Sequence, residues 1–260
     1  MSQKKITVIT VCYNAEKSIG KTIESVKCQS YKNIEYIIID GNSKDSTLQK
    51  IEEHRGDLPI ILISEPDHGI YDAMNKGVAI STGDYIHFLN AGDLYYDKDV
   101  INRIVEDIEN EGADILYGNI LYRYLNGNTE TREYGRACSR KIYFATGDCI
   151  NHQAIFAKRE LLTRMPFDLT YKICADRDWM MRVSKADSTF YACGRIICVY
   201  GLDGASLIQK DIYNDEAKKC IKKQFLILYP LFLLFDFFRN NAILSKILHW
   251  VYRKLYIKKE

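Results

Sequence analysis

Residues 6–11 (ITVITV) decide the fold class of this chain of 260 residues. A continuous run of β-branched side chains is typical of a strand buried on both faces of a parallel sheet. Three further strands are predicted at residues 35–40 (EYIIID), 60–63 and 85–89. Helical spacing of apolar residues predicts helices between them, over 17–29, around Leu48 and Ile51, and over 70–80. The alternation predicts an α/β fold with a mostly parallel central sheet flanked by helices.

The pattern changes near residue 114, where shorter strands are expected. They are predicted at residues 114–117, 120–125, 129–134 and 154–156, with residues 126–128 (NGN) as a hairpin turn. A helix over 174–184 and a final strand pair or ribbon over 190–199 complete the predicted domain. We therefore expect one domain over residues 1–210, followed by a helical tail over 211–260.

The tail differs from the rest of the chain in charge. Residues 218–260 contain ten Lys or Arg against two acidic residues, whereas residues 1–217 contain 26 basic and 32 acidic residues. An acidic body argues against nucleic acid as a partner, because nucleic-acid binding needs a basic face. The basic tail indicates an anionic partner of its own.

The apolar content of the tail indicates a membrane surface. Residues 225–238 (FLILYPLFLLFDFF) are apolar but shorter than the roughly 20 residues that a spanning helix needs. A helical stripe follows, formed by Ile243, Leu244, Ile247, Leu248, Val251 and Leu255, with Lys246, Arg253, Lys254, Lys258 and Lys259 nearby. This combination is typical of an interfacial amphipathic helix on anionic lipid. The alternative is a helix packed on the domain or on another subunit.

The cysteine pattern and the first residues predict a cytoplasmic protein. None of the eight Cys residues forms a C-x-x-C pair, and Cys12 and Cys198 lie inside apolar runs, as expected of reduced, buried thiols. Residues 1–5 (MSQKK) lead directly into the first strand without an apolar signal segment.

Polar residues follow each of the first four predicted strands. Cys12-Tyr13-Asn14, Asp40-Gly41, Glu65-Pro66-Asp67 and Asn90-Ala91-Gly92-Asp93 would all meet at the carboxyl edge of a parallel sheet, where ligands bind. No G-x-G-x-x-G or G-x-x-x-x-G-K-[ST] loop is present, which argues against hydride transfer and P-loop kinase chemistry. A carboxylate-lined site for a nucleoside diphosphate would need a divalent cation as a bridge.

Four ordered segments resemble glycosyltransferase family 2, and most closely the bacterial members that build exopolysaccharide, capsule or O-antigen. They are residues 7–14 (TVITVCYN), 38–47 (IIDGNSKDST), 64–77 (SEPDHGIYDAMNKG) and 82–93 (TGDYIHFLNAGD). The resemblance extends over residues 5–200. It implies the nucleotide-diphospho-sugar transferase (GT-A) fold and an inverting single displacement.

The resemblance also implies roles for individual residues. It places Thr10, Cys12, Tyr13 and Asn14 around the base and ribose, with Asp40 accepting a hydrogen bond from the base, usually uracil. Asp67 and Gly69 match the loop that borders the nucleotide, and Asn75 the helix after it. Asp93 matches the last acidic residue of the metal motif, implying Mn²⁺ or Mg²⁺. Asn90, Ala91 and Gly92 replace the rest of the usual Asp-x-Asp-Asp, so one carboxylate remains.

Residues 173–182 resemble the family's Glu-Asp-x-Asp helix start, with Ala175 in place of the Glu. An inverting transferase needs a carboxylate to take the proton of the acceptor hydroxyl. Asp176 occupies the base position and Asp178 is the alternative. His152 and Gln153 match a pair expected to face donor or acceptor. For Trp179, stacking on an acceptor sugar and a place in the core are the two alternatives.

The predicted function is transfer of a hexose or N-acetylhexosamine from a UDP-sugar to a saccharide acceptor linked to polyprenyl diphosphate. The protein would lie on the inner face of the cytoplasmic membrane through its tail. One alternative is a non-catalytic scaffold that binds sugar nucleotides in a membrane complex. The other is a sugar-nucleotide pyrophosphorylase, although its Gly-rich loop with Arg and Lys is absent after Val11.

Overall fold

The structure is a computed structural model, and it describes residues 3–124, 126–135, 138, 141–145, 148–201, 210–239 and 241. The strands are β1 (Ile6–Cys12), β2 (Ile34–Asp40), β3 (Ile60–Ser64), β4 (Tyr85–Phe88), β5 (Leu94–Tyr95), β6 (Ile115–Arg123), β7 (Thr129–Arg132), β8 (Ile155–Lys158) and β9 (Phe190–Gly201). The helices are α1 (Ile19–Lys27), α2 (Thr47–Arg55), α3 (Ile70–Ile80), α4 (Val100–Glu111), α5 (Lys141–Ala145), α6 (Arg159–Arg164), α7 (Ala175–Lys185), α8 (Lys210–Gln224) and α9 (Tyr229–Arg239).

The first four strands form the parallel half of the sheet, in the order β3-β2-β1-β4. Every residue of β1 is buried, so both faces of the sheet are covered here, and α3 packs against β1 and β2. The close approach of α3 needs Gly77, where a Cβ would lie 2.7 Å from Ile9 Cγ2. The predicted α/β fold, with its alternating strands and helices, is confirmed in this half.

The second half joins this sheet through an antiparallel pairing of β4 with β8. The sheet continues through β6, β9 and β5, and β7 pairs with β6 as the predicted hairpin. The two short strands predicted at 114–117 and 120–125 are one strand, β6, with a register irregularity between Tyr117 and Ile120. The predicted strand pair over 190–199 is also one strand, because β9 runs parallel to β6 along nearly its whole length.

Glu35 connects three parts of the parallel half. Its carboxylate accepts hydrogen bonds from Thr7 Oγ1 at 2.7 Å, from Thr82 N at 2.7 Å and from Lys5 Nζ at 3.1 Å. Burial by itself would raise the pKa of Glu35, but the hydrogen bonds from Thr82, Thr7 and Lys5 outweigh it and lower the pKa to about 2. The carboxylate therefore holds β1, β2 and the turn before β4 together.

The first tail helix is built into the body of the protein. In α8, Cys220 and Ile221 are fully buried, and α8 packs against α7. In α9, Phe232 is buried, whereas the opposite face is exposed. Among the described residues, no helix is both long and apolar enough to cross a membrane. Residues 243–255, for which an amphipathic helix is predicted, lie outside the described residues, and the domain boundary at 210 stays a prediction.

Candidate active site

The carboxyl ends of β1, β2 and β3 form a polar surface around Gly41. A Cβ on Gly41 would lie 2.6 Å from Asp67 Oδ2 and 3.4 Å from Tyr13 Cδ2, so only glycine leaves room for both side chains. The Tyr13 ring is 63% exposed, and Asp67 is held in place because its Oδ1 accepts from Gly69 N at 2.8 Å. The structure thus brings together Tyr13, Asp67 and Gly69 of the predicted nucleotide site.

Asp40 lies beneath this surface and has no exposed area. Its Oδ2 accepts from Ser64 Oγ at 2.7 Å and from Ser43 N at 3.0 Å. Its Oδ1 accepts from Ser43 Oγ, and the Cys12 thiol lies 3.6 Å away. Since both oxygens are engaged, the geometry assigns Asp40 to shaping the loop after β2. A direct contact with a base would require these partners to move.

The other predicted nucleotide residues divide into structural and exposed positions. Thr10 is fully buried and donates to Leu89 O at 2.7 Å. Cys12 is also buried, and burial together with Asp40 raises the pKa of its thiol. Asn14 is exposed and has φ +49°, and its backbone N–H donates to Ser43 Oγ at 2.8 Å. Asn75 does not face the surface around Gly41. Its Nδ2 donates to Phe167 O and its Oδ1 accepts from Phe167 N, each at 3.0 Å.

The loop that follows β4 carries Asp93, the residue predicted to bind a metal, and the three residues before it. Asp93 is 4% exposed and lies near the buried Cys198. Asn90 Oδ1 is buried without a hydrogen-bond partner among the described residues. Gly92 has φ +105°, a conformation that favours glycine, and Ala91 is partly exposed. No three His, Cys, Asp or Glu side chains of the described part group as metal ligands.

This donor set is compatible with Mg²⁺ or Mn²⁺ but not with a protein-built cage. Magnesium in phosphate sites is commonly held by one or two carboxylates, water and the phosphates themselves. Asp93 and the unpartnered Asn90 Oδ1 are hard oxygen donors of that kind. The residues present therefore fit a cation that takes most of its ligands from a bound diphosphate.

Asp176 lies in the first turn of α7, and its side chain is 19% exposed. Its Oδ1 accepts from Arg177 N at 2.8 Å and lies 3.0 Å from Tyr71 Oη. Its Oδ2 lies 2.9 Å from His152 Nδ1. The other ring nitrogen, His152 Nε2, lies 2.9 Å from Asn90 Nδ2. A continuous series of contacts thus joins the loop after β4 to the predicted base.

Asp178, the alternative base, has no exposed surface. Its oxygens accept from Arg182 Nε at 2.7 Å and from Gln224 Nε2 at 2.8 Å, so it links α7 to α8. Trp179 is 2% exposed and packs near Phe167, in the core and not at a sugar-binding surface. The geometry favours Asp176 as the base and gives Asp178 and Trp179 structural roles.

Gln153 is also buried, unlike its neighbour His152. Its carbonyl oxygen lies 3.0 Å from His87 Nε2, and its Oε1 has no hydrogen-bond partner among the described residues. Burial lowers the pKa of His87 to about 3, so this imidazole is neutral at physiological pH. Of the predicted pair, only His152 reaches Asp176.

Two residues near Asp176 were missed by the sequence reasoning. The Tyr71 hydroxyl lies 2.5 Å from Ile173 O, and burial and the nearby Asp176 raise its pKa well above the ordinary value, so it stays a donor. Glu216 of α8 accepts from the backbone N–H groups of Lys172, Ile173 and Cys174 at 2.7, 2.9 and 3.0 Å. Tyr71 lies inside the segment 64–77 that carries the resemblance, whereas nothing in the local sequence of α8 indicates the role of Glu216.

Comparison with known proteins decides the family. Residues 7–164 match the sequence profile of Glycosyl transferase family 2. The chain belongs to this family. A PGL/p-HBAD biosynthesis glycosyltransferase of Mycobacterium bovis (strain BCG / Pasteur 1173P2) is 32% identical over 186 residues, which cover 70% of each chain. The prediction of a family 2 glycosyltransferase is confirmed, and membership disfavours the pyrophosphorylase alternative.

Solved structures show that this glycosyltransferase has the predicted GT-A fold. S. aureus TarS residues 1–349 in complex with UDP-GlcNAc superposes with a TM-score of 0.72 at 18% identity, over 92% of this chain and 74% of that one. Mannosyltransferase PcManGT of Pyrobaculum calidifontis, in complex with GDP-Man and Mn²⁺, gives a TM-score of 0.63 at 16% identity, over 96% and 79%. The chain covers 40% of a longer TarS chain.

Proposed function

We propose that this glycosyltransferase moves a hexosyl or N-acetylhexosaminyl group, with inversion, from a UDP-sugar to a saccharide acceptor. The observation that carries the proposal is the series of contacts from Asn90 through His152 to Asp176, at 2.9 Å each. It sets a partly exposed carboxylate beside the loop after β4. Ligands of such sheets bind at this edge, so the donor diphosphate and Asp176 would border the same sugar-binding space, on opposite sides of the anomeric carbon.

The proposed reaction is a single displacement. The acceptor hydroxyl oxygen forms a bond to the anomeric carbon while its proton passes to Asp176. The bond from that carbon to the diphosphate oxygen breaks, and the nucleoside diphosphate leaves with the electron pair. Attack on the face opposite the leaving group inverts the anomeric centre. A divalent cation held by Asp93, with Asn90 Oδ1 nearby, would offset the negative charge of the leaving diphosphate.

The proposed pocket for the nucleobase of the donor is the surface around Gly41. The exposed Tyr13 ring offers a stacking face, and Asp67 Oδ2 lies close enough to Gly41 to exclude any side chain there. A carboxylate accepts hydrogen bonds only, so Asp67 would suit a base that presents an N–H, as uracil does. The solved TarS complexes with UDP and UDP-GlcNAc support a uridine nucleotide here.

The proposed acceptor is a saccharide on polyprenyl diphosphate at the inner face of the cytoplasmic membrane. Leu226, Ile227, Leu233, Leu234 and Phe237 expose one apolar face on α9 and the turn before it, and Ile227 is 94% exposed. Exposed lysines of α8 lie before this face in the chain: Lys219, Lys222 and Lys223. Apolar surface beside basic residues suits anionic lipid.

Thermal unfolding in the presence of nucleotides tests the function. A ligand that binds the folded state raises the melting temperature by mass action. We expect a rise with UDP and UDP-sugars that is larger with Mn²⁺ or Mg²⁺, and little with GDP or ADP. Asp176→Asn should keep this rise but lose transfer to an acceptor, whereas the matched change Asp178→Asn should keep turnover in its folded fraction.

The scaffold alternative predicts a different result. A scaffold would bind the nucleotide without turnover in the wild-type protein, for every UDP-sugar and lipid-linked acceptor supplied. Transfer that survives in a folded Asp176→Asn variant would remove Asp176 as the base.

Vesicle sedimentation tests the membrane proposal. Replacing Leu234 and Phe237 with Glu should abolish binding to vesicles that contain phosphatidylglycerol and leave nucleotide binding intact. The same change at Leu48, exposed on α2, serves as the control. Point variants are needed because removing α8 would also remove Glu216 from the segment before Asp176. Unchanged vesicle binding by the double variant would refute this surface.

A further inference from the structure

His152 engages a different polar side chain with each ring nitrogen. Nδ1 lies 2.9 Å from Asp176 Oδ2, and Nε2 lies 2.9 Å from Asn90 Nδ2. The His152 side chain is 12% exposed. Asn90 is in the loop after β4, His152 follows a partly exposed loop before β8, and Asp176 begins α7, so the contacts join three separate segments.

We propose that His152 is a positioning residue for sugar transfer. Its Nδ1–H donates a hydrogen bond that orients the base Asp176, while Asn90 holds the imidazole in place. This inference rests on the proposed function, in which Asp176 accepts the proton of the acceptor hydroxyl. It assigns to His152 a role through the base, distinct from the contact with donor or acceptor that the resemblance implies.

The location of the proton follows from the donor and acceptor inventory. An ionised carboxylate only accepts hydrogen bonds, so a 2.9 Å contact with Asp176 requires the proton on His152 Nδ1. With Asn90 Nδ2 as a donor, Nε2 is the acceptor and the ring is neutral. If the amide of Asn90 is reversed, its oxygen accepts from Nε2–H and the ring is an imidazolium. Both orientations of Asn90 therefore place a proton on Nδ1.

The consequence is a carboxylate with a donor on each oxygen. Arg177 N donates to Oδ1 at 2.8 Å and His152 Nδ1 donates to Oδ2 at 2.9 Å. The single proton of the Tyr71 hydroxyl is shared between Oδ1 at 3.0 Å and Ile173 O at 2.5 Å. An ionised carboxylate has about four lone-pair positions. One position on Oδ2 is left for the acceptor hydroxyl. Because the plane of the Asp176 carboxylate is fixed before the acceptor binds, less orientational freedom has to be lost in reaching the transition state.

Two variants separate this role from packing. In His152→Asn, the amide Nδ2 sits about where Nδ1 was and can still donate to Asp176, whereas His152→Ala removes the donor. We expect kcat to fall about 100-fold in the alanine variant and less than about 10-fold in the asparagine variant, as for loss of part of a base's contribution. The dissociation constant for UDP should change less than about twofold in both. His54→Ala is the control, since His54 also pairs with a carboxylate, Glu24, but on the surface of α1 and α2.

The ¹⁵N resonances of the imidazole give a readout that packing would not produce. The wild-type spectrum should show His152 protonated on Nδ1, and its Nδ1 signal should move in Asp176→Asn. Circular dichroism and the UDP-induced rise in melting temperature confirm that each variant is folded.

The outcomes distinguish this inference from the function it rests on. Equal losses of kcat in His152→Asn and His152→Ala, or a proton found on Nε2 alone, would overturn the positioning role. Weaker UDP binding with unchanged kcat would mean that His152 contacts the sugar-nucleotide donor instead. Full transfer by His152→Ala with an inactive Asp176→Asn overturns only the role of His152, whereas an active Asp176→Asn overturns the proposed base itself.

Discussion

Replacing Glu35 with Gln tests how the strands that carry the nucleotide surface are held in register. The substitution keeps the shape of the side chain and removes its charge. Each Glu35 oxygen accepts from two donors, Lys5 Nζ and Thr82 Oγ1 on Oε1 and Thr7 Oγ1 and Thr82 N on Oε2. Gln can accept with one oxygen only, so two of these four donors lose their acceptor. The side chain of Glu35 is 6% exposed, so solvent screens these hydrogen bonds little.

The magnitude follows from the pKa of Glu35, which is lowered from 4.5 to about 2 in the folded protein. A carboxyl with a lowered folded-state pKa stabilises the fold above its unfolded-state pKa, and this stabilisation is lost as the pH falls through the folded-state pKa. The difference corresponds to about 3 kcal/mol of unfolding free energy at pH 7. About 1 kcal/mol of it should remain at pH 3.

Urea unfolding at pH 7 and at pH 3 measures this effect. The gap in unfolding free energy between wild type and Glu35→Gln should be about 3 kcal/mol at pH 7 and shrink by about 2 kcal/mol at pH 3. Glu109→Gln, at an exposed position of α4, should show no gap at either pH. A gap of equal size at both pH values would refute the reasoning. So would a ¹³C titration in which the Glu35 carboxyl of the folded protein ionises near 4.5.

Three further substitutions probe the supports of the site. Gly77→Ala should cost about 1–3 kcal/mol of unfolding free energy, since its Cβ would lie 2.7 Å from Ile9 Cγ2; an unchanged urea midpoint would contradict this. Glu216→Ala should lower both the melting temperature and kcat, because it leaves the three N–H groups before Asp176 without their acceptor; normal kcat would show that the segment holds its shape alone. Asp178→Asn should destabilise by about 3 kcal/mol, as expected for breaking a buried ion pair, while folded enzyme retains its kcat.

The parallel half of the fold could be predicted from the sequence because its causes are local. The β-branched run of β1 and the helical spacing over α3 identify their elements without reference to distant residues. The second half depended on pairing between remote strands. Whether residues 115–123 form one strand or two is decided by β9, about 75 residues away, which runs beside them.

Helix α7, which carries Asp176 and Asp178, shows why the roles of individual site residues could not all be predicted from the sequence. The sequence placed two carboxylates, Asp176 and Asp178, in the first turn of α7, and only the family resemblance ranked Asp176 first. Gln224, 46 residues further on, engages Asp178, while His152, 24 residues earlier, reaches Asp176.

In the nucleotide surface and the tail, too, some features follow from the sequence and others only from the tertiary structure. The sequence by itself determined the family, the strand-end position of Asp40 and Asp67, and the apolar, basic character of the tail. Only the tertiary structure decided that Ser64 and Ser43 occupy the oxygens of Asp40, and that α8 supports the segment before Asp176. The physical reason is that composition and periodicity report on each segment alone, whereas exposure and hydrogen-bond saturation of a carboxylate depend on which distant side chains the fold brings within about 3 Å.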